Sequence, residues 1–233
     1  MKYKSRAITL HYVKLGESSI IAKILTEEIG LQSFIVKGVR KKKTKNKLVL
    51  FQPLNLIVIE ANYIAKKNIQ TIDDVRLYNA RYNNLDIQKT FLWMFIAEIL
   101  LNVIKESQPD KNLFKFIWDL KIRYIEKGLV DYNAGLLFLV NLTKNLGFYP
   151  LKNFNEGFYF DLELGQFTKL QPRQNYIKKE NTHYFKKLIS ENNLNIPQKN
   201  KQELVLNMFT YYSLHYHELK YVQSHKILYS LKQ

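Results

Sequence analysis

Apolar and polar positions alternate through Ala7–Lys14, with Ile8, Leu10 and Tyr12 on one face and Thr9 and His11 on the other. That period predicts a half-buried strand. Gly16-Glu17-Ser18-Ser19 reads as a turn, and Ile20–Thr26 is a second apolar, β-branched run. A tight connection at Glu27–Gly30 leads into a third strand, Leu31–Gly38. Leu48–Ala61 predicts a long fourth strand, with Pro53 marking an edge or a bulge. A fifth is expected over about Asn68–Arg76. Five short strands without a helix among them predict a small closed barrel or a sandwich.

The period changes near Asn84. Ile87, Phe91, Phe95, Ile99 and Val103 recur every fourth residue, and Leu92, Ile96, Leu100 and Ile104 form a parallel row. So wide an apolar face predicts the central helix of a bundle. Gln108-Pro109-Asp110 ends it, and Asp110 is placed to cap a helix over about Lys111–Glu126. A third helix is expected over Asp131–Leu146, stopped by Gly147 and Pro150. Residues Gly157–Thr168 read as a β-hairpin, followed by helices at about Asn181–Glu191 and Lys199–Leu231, the second broken. The fold class is α+β. A β domain over 1–80 precedes a helical domain over 81–233, which carries a non-helical insert at about 151–172.

Composition sharpens this picture. The 233 residues are 46% hydrophobic and 14% aromatic, enough for packed cores. Cysteine is absent, which excludes a disulfide framework and thiolate-held zinc. The opening residues predict no secretory signal. The longest apolar stretch, Phe91–Leu101, is about half the roughly 20 residues a bilayer span needs. A cytoplasmic, nucleoid-associated protein is expected, with no membrane partner.

Net charge is +16. Such a balance points to a polyanion as partner. The excess is densest in Lys37-Gly38-Val39-Arg40-Lys41-Lys42-Lys43-Thr44-Lys45-Asn46-Lys47, where seven of eleven residues are cationic and none is acidic. Lying between two predicted strands, this run is expected to be an exposed, flexible loop on a rigid scaffold. Crowded ammonium groups repel one another, and a phosphate backbone would relieve that through counterion release. A solvated loop without a partner is the alternative. Lys37, Arg40, Lys41, Lys42, Lys43, Lys45 and Lys47 are therefore the candidate phosphate contacts. Lysine in place of arginine favours loose phosphate tracking over base reading. Phe34, Phe51 and Tyr63 are near enough in sequence to stack on bases, though core positions suit them better.

Other signals are weaker. Histidines 215 and 217 lie two apart, on different helix faces, and read as surface; no metal is expected. Glu98 reads as a structural carboxylate. No nucleotide-binding glycine loop or nucleophile elbow occurs, so no enzyme activity and no cofactor are expected. A second group, Arg173, Lys178, Lys179, Lys186 and Lys187, lies beside Tyr176, Tyr184 and Phe185. It could extend a DNA path, receive an acidic tail, or simply be solvated.

Several short segments, in order and spacing, resemble the bacterial RecO family. They are Gly16-Glu17-Ser18-Ser19, Thr26–Leu31, Val36-Lys37-Gly38-Val39-Arg40 with its basic tail, and Leu50–Leu54. Phe95–Leu100 and Leu146-Gly147-Phe148-Tyr149-Pro150 continue the series. The resemblance implies an N-terminal oligonucleotide-binding (OB) barrel and a helical C-terminal domain. It also implies binding of single- and double-stranded DNA, strand annealing, and help in loading RecA onto SSB-coated strands. RecR and the SSB C-terminal tail are the implied partners. Lys37 and Arg40 sit on the family's basic segment. Many members carry a four-cysteine zinc module after a Gly-Phe/Tyr-x-Pro segment; Leu151–Pro172 has no cysteine here, so the hairpin is expected to rely on Phe158, Phe160 and Phe167. Two other readings stay open: an RNA-binding or ribosome-associated module, and an adaptor for acidic protein tails.

Overall fold

The computed structural model describes residues 1–40, 42–79, 87–106, 108–127, 133–154, 157–190, 195–217, 219 and 222–228, with backbone alone at 42–46, 87–88 and 125–127. The chain forms two compact units, Met1–Leu129 and Val130–Gln233.

In the first unit, β1 (Lys2–Leu15), β2 (Ser19–Thr26), β3 (Gly30–Val36), β4 (Leu56–Asn62) and β5 (Ile69–Leu77) close into a barrel. The strand order is β1-β2-β3-β5-β4 and back to β1, with β3 and β5 parallel and the other pairs antiparallel. This is an OB-like barrel. Its interior holds Ala7, Ile20, Ala22, Ile24, Phe34, Val36, Ile57, Ile59 and Ala61, with Tyr3 and Tyr12 packed beside them.

Two expectations need correction. Tyr12 does not share a face with Ile8 and Leu10, because the β1–β2 register shifts between Thr9 and His11. Such a bulge swaps the facing of everything beyond it. Ala7 and Tyr12 thus point inward, while Ile8 and Leu10 are buried outside the barrel interior, on the strand against which α1 (Ile87–Val103) packs.

The second correction concerns Leu48–Phe51, expected to open a strand. Residues Lys42–Phe51 form a 3-10 helix, and β4 starts only at Leu56. The run is apolar because Phe51, fully buried, and Leu48 and Leu50, partly buried, pack into the barrel core. Thr9 then clamps the turn that follows. Its carbonyl accepts from the Leu54 amide at 2.7 Å, and its hydroxyl bonds the Gln52 carbonyl and accepts the Asn55 amide at 3.1 Å. Leu54 takes φ +59°, a left-handed turn incompatible with an unbroken strand.

Helices α1 and α2 (Lys111–Lys127) complete this unit. Phe95, Ile99 and Val103, and Leu92, Ile96 and Leu100, are all buried, as the two rows predict. Asp110 caps α2, its carboxylate accepting the Leu113 amide at 2.9 Å. Gly30, at φ +77°, backs onto the α1–α2 connection, where a Cβ would stand 2.6 Å from the Gln108 carbonyl oxygen. No larger residue fits there. Arg6 ties β1 to its neighbours: it donates to Glu27 at 2.8 Å, and its guanidinium lies 5.0 Å from the Trp118 ring centre on α2.

In the second unit, α3 (Ala134–Leu146) ends at Gly147, φ +88°, whose amide closes on the Thr143 carbonyl. It packs against α5 (Gln198–His215), and the Tyr212 hydroxyl donates to the Leu139 carbonyl at 2.8 Å. The insert is a three-stranded sheet in the order β7 (Gln166–Thr168), β6 (Tyr159–Asp161), β8 (Tyr176–Ile177). Its inner face, Phe160, Phe167 and Ile177, is fully buried, with Phe185 of α4 (Lys179–Ser190) 4.8 Å from Phe160. Phe158, expected in that cluster, is instead 58% exposed. The expected last helix stops at His215, and a short α6 (Ser224–Leu228) follows.

Candidate nucleic-acid interface

The basic segment leaves β3 at Lys37, which is exposed, and is anchored at both ends of its course by apolar residues. Val39 is 1% exposed and Phe51 is fully buried, both within the barrel core. Where a flexible loop was expected, Lys42–Phe51 form a 3-10 helix that ends on the Phe51 anchor and the Thr9 clamp. Arg40 then fixes the segment to the first hairpin. Its amide donates to the Ser18 carbonyl at 3.0 Å, and its guanidinium donates to the Gly16 carbonyl at 2.8 Å. The β1–β2 turn and the Lys37–Arg40 step are thus one surface.

Of the seven expected contacts, Lys37, Arg40 and Lys47 have described side chains: Lys37 and Lys47 are exposed and Arg40 is half-buried. The backbones of Lys42, Lys43 and Lys45 lie on the 3-10 helix, and Lys41 lies outside the described residues. Sequence reading missed Lys14, beside the first turn, and Lys66 and Lys67, in the β4–β5 connection. All three are exposed, and with Lys37 and Lys47 they make no ion pair among the described residues. In OB folds the β1–β2 and β4–β5 loops border the oligonucleotide face, and that topological rule was the missing signal.

Glu17, exposed, lies in the first turn itself, without an ion pair among the described residues, while several other acids of the barrel are occupied. Glu27 is held by Arg6, Glu60 lies 3.4 Å from Lys4, and Asp73 accepts from Asn62 at 2.8 Å. The Arg6 guanidinium holds the Glu27 carboxyl below the ordinary carboxylate range. The outward positions of β2 and β3 are Ile21, Lys23, Leu25, Leu31, Ser33 and Ile35, with no aromatic ring. Phe34 and Phe51 are core residues and cannot stack on a base. Tyr63, the third candidate ring, is half-buried at the start of the β4–β5 connection.

Two matched family models settle the kinship. Residues 1–81 match the recombination protein O N-terminal model, and residues 84–223 match its C-terminal model. The chain belongs to the RecO family. A DNA repair protein RecO from Azobacteroides pseudotrichonymphae is 29% identical over 99% of both chains. One from Flavobacterium psychrophilum is 29% identical over 98% of both. A Bacteroides fragilis RecO is 33% identical over 74% of this chain and 72% of its own.

Zinc, which the resemblance to RecO raised, does not suit these residues. The chain has no cysteine, and no group of three or more potential ligands gathers among the described residues. Phe160 and Phe167 pack in the interior of the insert. His215 is structural here: its ring bonds the Leu162 carbonyl at 2.8 Å and stacks on Phe148, which corrects its expected surface role. Among the described residues no helix is long and apolar enough to cross a membrane.

Proposed function

We propose that this RecO-family chain binds DNA independently of sequence and anneals complementary strands as a recombination mediator in repair, without catalysing a covalent step. The barrel domain, residues 1–80, binds single and double strands through Lys37, Arg40, Lys41, Lys42, Lys43, Lys45 and Lys47, joined by Lys14, Lys66 and Lys67. The helical domain, residues 81–233, docks RecR and the SSB tail and so helps RecA reach coated strands.

The observation that carries this reading is the Arg40 anchorage. It joins the densest basic run of the chain to the first hairpin turn of an OB-like barrel, on a surface whose lysines with described side chains make no ion pair among the described residues. Phosphates held by lysine leave base edges free to pair, and neutralising two backbones lowers their mutual repulsion. The protein should speed duplex formation from complementary oligonucleotides at low salt. Lys41→Glu/Lys42→Glu/Lys43→Glu should abolish most of that gain. Equal annealing with and without the protein would reject the proposal.

A further inference from the structure

The insert sheet has an outer face that the barrel's chemistry does not explain. Side chains alternate across a strand, so burial of Phe160, Phe167 and Ile177 turns Tyr159 and Tyr176 to the opposite side. These two rings, half-exposed on adjacent strands, lie 5.7 Å apart, edge to face. The Gln171 side-chain amide donates to the Tyr176 hydroxyl at 2.7 Å and fixes that ring. Phe158, 58% exposed, precedes Tyr159, and the Lys179 ammonium lies 5.0 Å from its ring centre.

Cations flank these strands in the sequence. Lys169 follows β7, Arg173 precedes β8, and Lys178 and Lys179 follow it. All four are exposed, and none is in an ion pair among the described residues. The nearby acids are less available. Asp161 accepts the Glu163 and Leu164 amides, and Glu163 accepts Gln174 and Asn175. Glu163 and Glu180 are exposed, and Asp161 lies opposite Tyr176. Lys186 and Phe185, grouped with these residues by sequence, drop out: Phe185 is core, and the Lys186 ammonium donates to the Phe154 carbonyl at 2.7 Å.

We propose that Tyr159 and Tyr176, rimmed by Lys169, Arg173, Lys178 and Lys179, form a second nucleic-acid site that stacks unpaired bases of a single strand. Aromatic rings on an open sheet face, with cations at the rim for phosphates, are the physical requirements for holding a strand by its bases. The site divides labour with the barrel: one surface grips backbone, the other grips bases. It rests on the nucleic-acid reading above.

The full chain is mixed with an oligothymidine carrying 5-iodouracil, irradiated, and the crosslinked peptides are mapped. Crosslinks at Tyr159 or Tyr176 are expected. The chain should also bind oligothymidine about tenfold more tightly than an abasic oligonucleotide of equal length, the effect of about one stacked base. Tyr159→Ala/Tyr176→Ala should erase that preference, and Tyr159→Phe/Tyr176→Phe should retain it. Crosslinks confined to residues 1–80, or equal affinity for the two oligonucleotides, would overturn this site and leave the barrel reading standing. Binding to neither would fail both. Displacement of oligothymidine by an acidic peptide, with no crosslink at either tyrosine, would overturn it in favour of peptide docking.

Discussion

Single side chains show how burial and charge are set against each other in the first unit. Lys121 on α2 is 6% exposed, its ammonium 3.8 Å from the Trp93 ring centre. Burial, and then the charge of Lys89, push its pKa down from 10.5 to about 7, while the indole face favours the charged form. Between about pH 7 and 10.5 the unfolded chain holds this proton more firmly than the folded one, so rising pH favours folding across that window. Lys121→Met removes the cost of burying an ammonium. Its melting temperature should exceed that of the parent most below about pH 7, by roughly 2–4 °C per kcal/mol recovered, with the gain fading above about pH 10.5. A gain that grew with pH would contradict this placement. At this scale the sequence separated core from surface well where a strand alternated regularly, as at Phe34. It failed at Phe158, because three-residue strands carry too little period to say which aromatic faces in.

Among the elements, the 3-10 helix Lys42–Phe51 decides how the basic run is presented. Sequence pattern placed the run between two strands but could not see the helix, since Leu48-Val49-Leu50-Phe51 suits a buried strand and a buried helical turn equally. Tertiary packing chose: Phe51 enters the barrel core, and Thr9 clamps the turn after it. β8, two residues long, had no pattern to read at all. Helix α1 was legible as a helix because 17 residues sample its period several times, but not its place, since it packs on β1 of the barrel where a bundle was expected. Phe51→Ala should cost about 3–5 kcal/mol in urea unfolding, as expected for emptying a fully buried aromatic site. It should also weaken oligonucleotide binding by loosening the basic segment. A stability loss below about 1 kcal/mol would mean the helix is not anchored this way.

For the molecule as a whole, charge is the property most directly readable from sequence, and structure decided where it becomes usable. The composition and the Lys37–Lys47 run were plain, but Lys14, Lys66 and Lys67 entered the proposed surface only from the barrel's loop topology. The central claim is that lysines on this surface screen a nucleic-acid backbone. The most direct test is the affinity for a single-stranded oligonucleotide as a function of salt. If about five of the seven cations in the run engage phosphates, log affinity against log salt should fall with a slope of roughly −3.5. Replacing Lys41, Lys42 and Lys43 by Glu should flatten that slope by about 2. An unchanged slope in the triple variant would contradict the account.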